Sequence, residues 1–182
     1  MPSPRKPKPQ PTWSDIKAKL SDFDRVGLID LVGDLYSASS DNRIFLHTRF
    51  AVGADPLKPY KATISRWVYP DVFARQTYSV AKAKKAISDY RKAIGAPLGL
   101  AELVTLYCEE ASALCADVGM DDEGFYDALV RMFDQAIKTV AKLEPAARAL
   151  FLERLEKVRD RSINFGWGAA DAISDMWADS TG

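Results

Sequence analysis

Apolar residues recur along the chain at the three- and four-residue spacing of an amphipathic helix, and no segment keeps a strand-like alternation for long. Between residues 28 and 36 they fall at Leu28, Leu31, Val32, Leu35 and Tyr36, which lie on one side of a helix. The pattern predicts helices over residues 14–21, 24–38, 41–52, 57–69, 79–94, 97–118, 122–142, 145–163 and 167–178.

One predicted helix, over residues 97–118, differs from its neighbours. Leu103, Tyr107 and Leu114 lie on one side of it, while Val104 and Cys108 lie on another. A helix that is apolar around most of its circumference is buried, so we expect this helix at the centre of the fold. We expect one continuous core, which includes Leu31, Leu35, Ile87, Leu103, Tyr107, Leu114, Leu129 and Phe133.

The predicted elements define an all-α protein. Short connections between helices favour antiparallel neighbours, and we find no internal sequence repeat that would indicate a regular array. We therefore predict a single-domain irregular helical bundle, or a short solenoid-like stack, of about eight to nine helices. The domain is expected to span residues 13–182. Five prolines and three basic residues near the start predict a disordered Pro-rich basic tail over residues 1–12.

Composition fits a folded protein and narrows the chemistry. Of the 182 residues, 47% are apolar and 27% are charged, close to the averages for globular domains. One His and two Cys are too few for most closed metal sites and for most nucleophile–base pairs. We expect no metal and no cofactor, and we expect Cys108 and Cys115 to be free thiols. Residues 1–12 lack the apolar segment of a secretory signal and no stretch is apolar enough to span a membrane, which predicts a cytoplasmic protein without a membrane partner.

The formal net charge is zero, but the charges are unevenly distributed. Residues 43–92 hold 11 basic and 3 acidic side chains, whereas residues 93–182 hold 8 and 16. Basic residues interleaved with aromatic ones can bind phosphates while stacking bases, which makes Arg66, Lys82, Lys85 and Lys92 candidate binding residues. In the alternative interpretation Trp67 belongs to the core and the lysines solvate a helix or are neutralised by the acidic half. The absence of net positive charge favours this alternative.

Phe165 and Trp167 form a second candidate site. The glycines on both sides of Trp167 let the backbone turn sharply and bring the indole against a partner. The alternative is a helix junction with Trp167 folded into the core, and it is favoured because aromatic side chains dominate core packing.

Four blocks of the sequence carry a family resemblance: LIDLVGDLY at 28–36, SVAKAKKAISDY at 79–90, GFYDAL at 124–129 and GWGAADAISD at 166–175. In order and spacing they resemble an uncharacterised bacterial family described as domain of unknown function 6155. The resemblance covers about residues 14–178, and the Pro-rich leader departs from the family pattern. It implies a soluble, helical, bacterial protein and supplies no activity, cofactor or catalytic residue.

These observations predict a non-enzymatic helical interaction module, a scaffold or adaptor that binds another macromolecule through exposed helix faces. The alternative is a nucleic-acid-binding protein that uses the basic segment 43–92, and an enzyme of unknown class comes third. We predict no catalytic residue. An unknown protein is the expected partner, with nucleic acid as the alternative and self-association left open.

Overall fold

The computed structural model describes residues 10–181 of the chain, and in this range it contains helices and no β-strand. Nine of the helices are α-helical, and a short 3-10 helix (Ser162–Asn164) follows the eighth. In this described range they are α1 (Trp13–Leu20), α2 (Arg25–Ala38), α3 (Ser40–Arg49), α4 (Lys58–Val68), α5 (Val80–Ala93), α6 (Pro97–Val118), α7 (Glu123–Val140), α8 (Pro145–Arg161) and α9 (Ala169–Thr181). The prediction of an all-α fold is confirmed.

Local sequence signals explain where these helices begin and end. Ser79 accepts a hydrogen bond from the N–H of Lys82 through its hydroxyl at 3.4 Å, and Asp122 accepts one from Phe125 through its carboxylate at 3.1 Å. These side chains satisfy N–H groups that lack a partner in the first turn of a helix. Pro145 is the first residue of α8, and Gly119 ends α6 with φ of 64°.

The chain forms two compact units, Met1–Ile44 and Phe45–Gly182, which we call unit 1 and unit 2. In unit 2 the central element is α6, which packs against α4, α5, α7 and α8, while α9 packs against α7. The prediction of a central, buried helix over 97–118 is confirmed. Six of the predicted core residues are also confirmed as buried: Ile87, Leu103, Tyr107, Leu114, Leu129 and Phe133.

A network of charged side chains joins three helices of unit 2. Glu102 of α6 lies 2.8 Å from the ammonium of Lys61 on α4 and 2.6 Å from the guanidinium of Arg154 on α8. Arg154 also contacts Glu109, which lies on the same side of α6 about two turns further along, at 2.7 Å. Burial alone would raise the pKa of Glu102, but the hydrogen bonds from Arg154 and then Lys61 outweigh burial and hold its pKa below the ordinary value.

Unit 1 contains α1, α2 and the beginning of α3, and none of its described residues is buried. The prediction that Leu31 and Leu35 belong to the core is therefore wrong. Leu31 is half-buried and Leu35 is 50% exposed, because no element of the described part of unit 1 covers this side of α2. The expectation of one domain over residues 13–182 stays a prediction. Of the predicted tail, residues 1–9 lie outside the described residues.

Candidate interaction surface

One side of α2 presents a row of apolar side chains to solvent. Val26, Leu28, Ile29, Val32 and Leu35 are each between 39% and 64% exposed, and we call these five residues the α2 face. Their spacing places them side by side along one half of the helix, so they form a continuous surface. The apolar pattern of this segment predicts a core helix, and the exposure of the five side chains contradicts that prediction.

The acidic residues of α2 lie away from this face. Between residues 26 and 35 the charged side chains are Asp30 and Asp34, and the helical period places both on the side opposite Val32. Arg25, which begins the helix, lies beside the N-terminal end of the face. The α2 face is therefore apolar along its length and bordered by an acidic side.

Gly33 lies beside the α2 face, four residues after Ile29. Apart from the adjacent residues and the backbone of its own helix, a β-carbon at this position would have no described atom within 4 Å, so no described packing contact requires glycine there. Gly27 differs, because a β-carbon there would stand 3.0 Å from the ring of Phe23. Glycine inside a helix lowers helix stability by roughly 0.5–1 kcal/mol relative to alanine. Gly33 therefore carries a cost that no described contact within the chain explains.

In the basic segment 43–92, the ring of Trp67 is not an open stacking platform. The guanidinium of Arg66 lies 4.4 Å from the centroid of the Trp67 ring, and the ammonium of Lys82 lies 3.7 Å from it. Arg66 also donates a hydrogen bond to the carbonyl of Thr77 at 3.3 Å. The half-buried ring of Trp67 thus binds two of the candidate cations itself through cation–π contacts at the junction of α4 and α5.

The other two candidate cations lie on α5 and differ in their contacts. Lys85 forms an ion pair with Asp89 at 2.6 Å, one turn further along the helix. Lys92 is exposed in the last turn of α5, where a positive charge interacts favourably with the helix dipole. The structure therefore brings Arg66 and Lys82 together at the ring of Trp67. Lys85 and Lys92 lie apart from this ring, along the solvent side of α5.

The acidic half of the chain contacts the basic segment mainly through hydroxyl groups. Tyr69 donates a hydrogen bond to Asp117 and Tyr78 donates one to Asp122, and these bonds raise the pKa of each tyrosine. The bond from Tyr78 also lowers the pKa of Asp122. Asp122 accepts a hydrogen bond from the backbone of α7 as well, so this carboxylate fixes the loop before α5 to the start of α7.

Phe165 and Trp167 have different environments. Phe165 packs against Tyr126 of α7, with ring centroids 5.5 Å apart. Trp167 is 58% exposed, and its φ of 57° lies in the left-handed region, so the interpretation that folds it into the core is wrong. Gly166 precedes Trp167, and Gly168 follows it with a left-handed φ of 72°. The chain therefore turns here, so that Phe165 faces the helices and Trp167 faces solvent.

A groove of about 330 Å³ lies between residues 69–73 and the end of α6. Its lining includes Val72, Leu114 and Val118, and the neighbouring Phe73 is 98% exposed. No periodic pattern marks this loop, so the sequence gives no signal for the groove. The groove gives unit 2 a small surface that is lined mainly by apolar side chains.

The cysteines occupy the core of unit 2 as free thiols. Burial raises the pKa of Cys115 to about 11 and raises that of Cys108 further, so both remain protonated and unreactive at neutral pH. Across the described residues, no group of three or more His, Cys, Asp or Glu side chains is arranged to hold a metal ion.

In comparisons with known proteins, the chain matches no family model, no curated protein and no solved structure. The resemblance to the domain of unknown function 6155 family therefore stays a prediction. Among the described helices, none has both the length and the apolar character needed to cross a bilayer.

Proposed function

We propose that this chain is a non-enzymatic interaction module, a scaffold or adaptor, that binds another protein through the α2 face. The observation that carries the proposal is the exposure of five apolar side chains in one row on α2. At these exposures the row presents apolar surface on the order of 500 Å², near the upper end of the largest patch on a typical monomer. Patches of this size commonly serve as binding sites.

The charge pattern supports a protein partner over an anionic lipid surface. Helices that lie on membranes carry lysine and arginine on their polar side. The polar side of α2 instead carries Asp30 and Asp34, which an anionic surface would repel. A nucleic acid is disfavoured at this face for the same reason, because its phosphates require nearby cations.

The nucleic-acid alternative rests on the basic segment, where it receives less support. The groups that would stack a base and bind a phosphate contact each other instead, since Arg66 and Lys82 both lie against Trp67. A cytoplasmic location in a bacterium is part of the proposal, and the two free, buried thiols are consistent with a reducing compartment.

Photo-crosslinking in the cell that makes the protein tests the proposed function. A photoreactive amino acid at Ile29 places the probe on the α2 face, and the same amino acid at Asp34 places it on the opposite side of the helix. We expect a crosslinked product from position 29 and none from position 34. Equal crosslinking from both positions, or no product from position 29 at native expression levels, would overturn the proposed function.

A further inference from the structure

The surface of α2 suits one partner in particular, and this inference rests on the proposed function. We propose that the α2 face binds the α2 face of a second copy of this chain, as a two-fold symmetric pair of antiparallel helices. In such a pair each copy contributes the same five residues, Val26, Leu28, Ile29, Val32 and Leu35, so an apolar row meets an identical apolar row.

The area available in the α2 face reaches the lower limit for a specific dimer. Complete burial of the α2 face in both copies would remove about 1,000 Å² from water, the size at which specific interfaces begin. Unit 1 also exposes Trp13, Ile16 and Phe23, whose side chains add further apolar surface.

The charges of α2 favour an antiparallel arrangement. The last turn of α2 carries no basic residue of its own to complement the carbonyl groups that end the helix. In an antiparallel pair, Arg25 of one copy lies beside the last turn of the other, where a cation is stabilised. Asp30 and Asp34 lie on the sides that face away from the pair, so like charges do not meet.

Gly33 provides an independent argument. Its position beside Ile29 lets a neighbouring backbone approach α2 closely, and the space around its α-carbon is open within the described chain. Small residues at a helix surface permit close packing of a second helix. A second copy thus accounts for a helix-weakening glycine that no described contact within one copy requires.

The mass of the full chain in solution tests the dimer. By light scattering after size exclusion, we expect the wild-type mass to rise from one chain to two between about 1 and about 200 μM, a range that brackets micromolar affinity. The mass should stop at two, because a two-fold symmetric contact closes on itself. A mass of one chain throughout, or growth beyond two without limit, would overturn the proposal.

Four variants separate the face from the rest of α2. Ile29→Glu should raise the dimer dissociation constant at least about 100-fold, because the pair would bury an unpaired charge. Asp34→Lys reverses a charge on the side of α2 opposite Val32, outside the α2 face, and should leave the dissociation constant within about threefold of the wild type. Gly33→Leu should weaken the dimer about 10-fold or more through a steric clash. Gly33→Ala should raise helix content in the monomer and still weaken the dimer.

Circular dichroism and thermal unfolding of each variant show whether unit 2 stays folded, so a loss of dimer through misfolding is recognised. A dimer that Ile29→Glu leaves intact would overturn the α2 pairing. The two proposals can fail separately. A monomeric wild type whose position 29 crosslinks to a different protein contradicts the second copy and keeps the proposed function, whereas a monomer without crosslinks contradicts both.

Discussion

The hydroxyl oxygen of Tyr90 lies 2.0 Å from the point where a β-carbon of residue 99 would stand. Tyr90 of α5 and Gly99 of α6 are both buried, so the two helices approach each other closely only because residue 99 has no side chain. The Cζ atom of Tyr90, the ring carbon bonded to the hydroxyl, would lie 2.6 Å from the same β-carbon. The contact therefore couples the position of α5 to the identity of residue 99.

Gly99→Ala should lower the free energy of unfolding by about 1–3 kcal/mol, because the added methyl group forces Tyr90 or the helix to move. Urea unfolding followed by circular dichroism measures the loss. Gly33→Ala is the matched control at protein concentrations below dimer formation, where the open space around residue 33 predicts no loss. Equal stability of the two variants would show that Tyr90 does not restrict residue 99.

Leu103→Ala should cost about 2–5 kcal/mol, because Leu103 is fully buried in α6 and its truncation leaves a cavity. Leu35→Ala makes the same chemical change on the α2 face and should alter the stability of one copy by less than about 0.5 kcal/mol. Denaturant midpoints of both variants check the contrast. A large loss from Leu35→Ala at low protein concentration would mean that this side chain is covered within one copy.

Acid should weaken unit 2 partly through Glu102. The pKa of Glu102 is lowered in the folded state. Its contribution to the free energy of unfolding is therefore fully present above the pKa of the unfolded chain, about 4.3, and is lost as the pH falls through the lower pKa of the folded state. We expect the difference in stability between the wild type and Glu102→Gln to shrink as the pH is lowered from 7 to about 3, below the ordinary pKa of glutamate. Urea midpoints along this series measure it. Glu144→Gln, at an exposed position before α8, controls for the general effect of acid.

A triple charge reversal tests whether the basic segment binds nucleic acid. It combines Lys82→Glu, Lys85→Glu and Lys92→Glu. The contacts of Lys82 with Trp67 and of Lys85 with Asp89 predict that the wild type binds short DNA or RNA only weakly. Fluorescence anisotropy at about 50 and about 200 mM salt measures the affinity and its salt dependence. Tight binding that falls steeply with salt and disappears in the triple variant would favour the nucleic-acid function.

The sequence predicted the helices well because their signals are local. The ends of each predicted helix differ from those of the observed helix by at most three residues, because apolar spacing and capping residues act over a single turn. The pattern of α6 also indicated its central position, because a helix that is apolar on most sides has to be surrounded. These properties depend only on the order of nearby residues.

The candidate site could not be predicted in the same way. The apolar row of α2 has the same spacing as a core row, and spacing identifies the apolar side of a helix without showing whether another element covers it. Trp167 has a positive φ, a conformation that residues with a side chain adopt rarely, so the sequence did not predict how its ring is oriented. The binding of Lys82 to Trp67 joins residues of two helices, so it depends on tertiary packing.

The central position of α6 has a consequence for hydrogen exchange. Because α4, α5, α7 and α8 all pack on it, the middle of α6 cannot be exposed to water while its neighbours remain in place. Its amide protons near Leu103 and Tyr107 should therefore exchange only when the whole of unit 2 unfolds, and they report its global stability directly. The amides of α1 and α2, whose helices contain no buried residue, exchange through local opening of single turns.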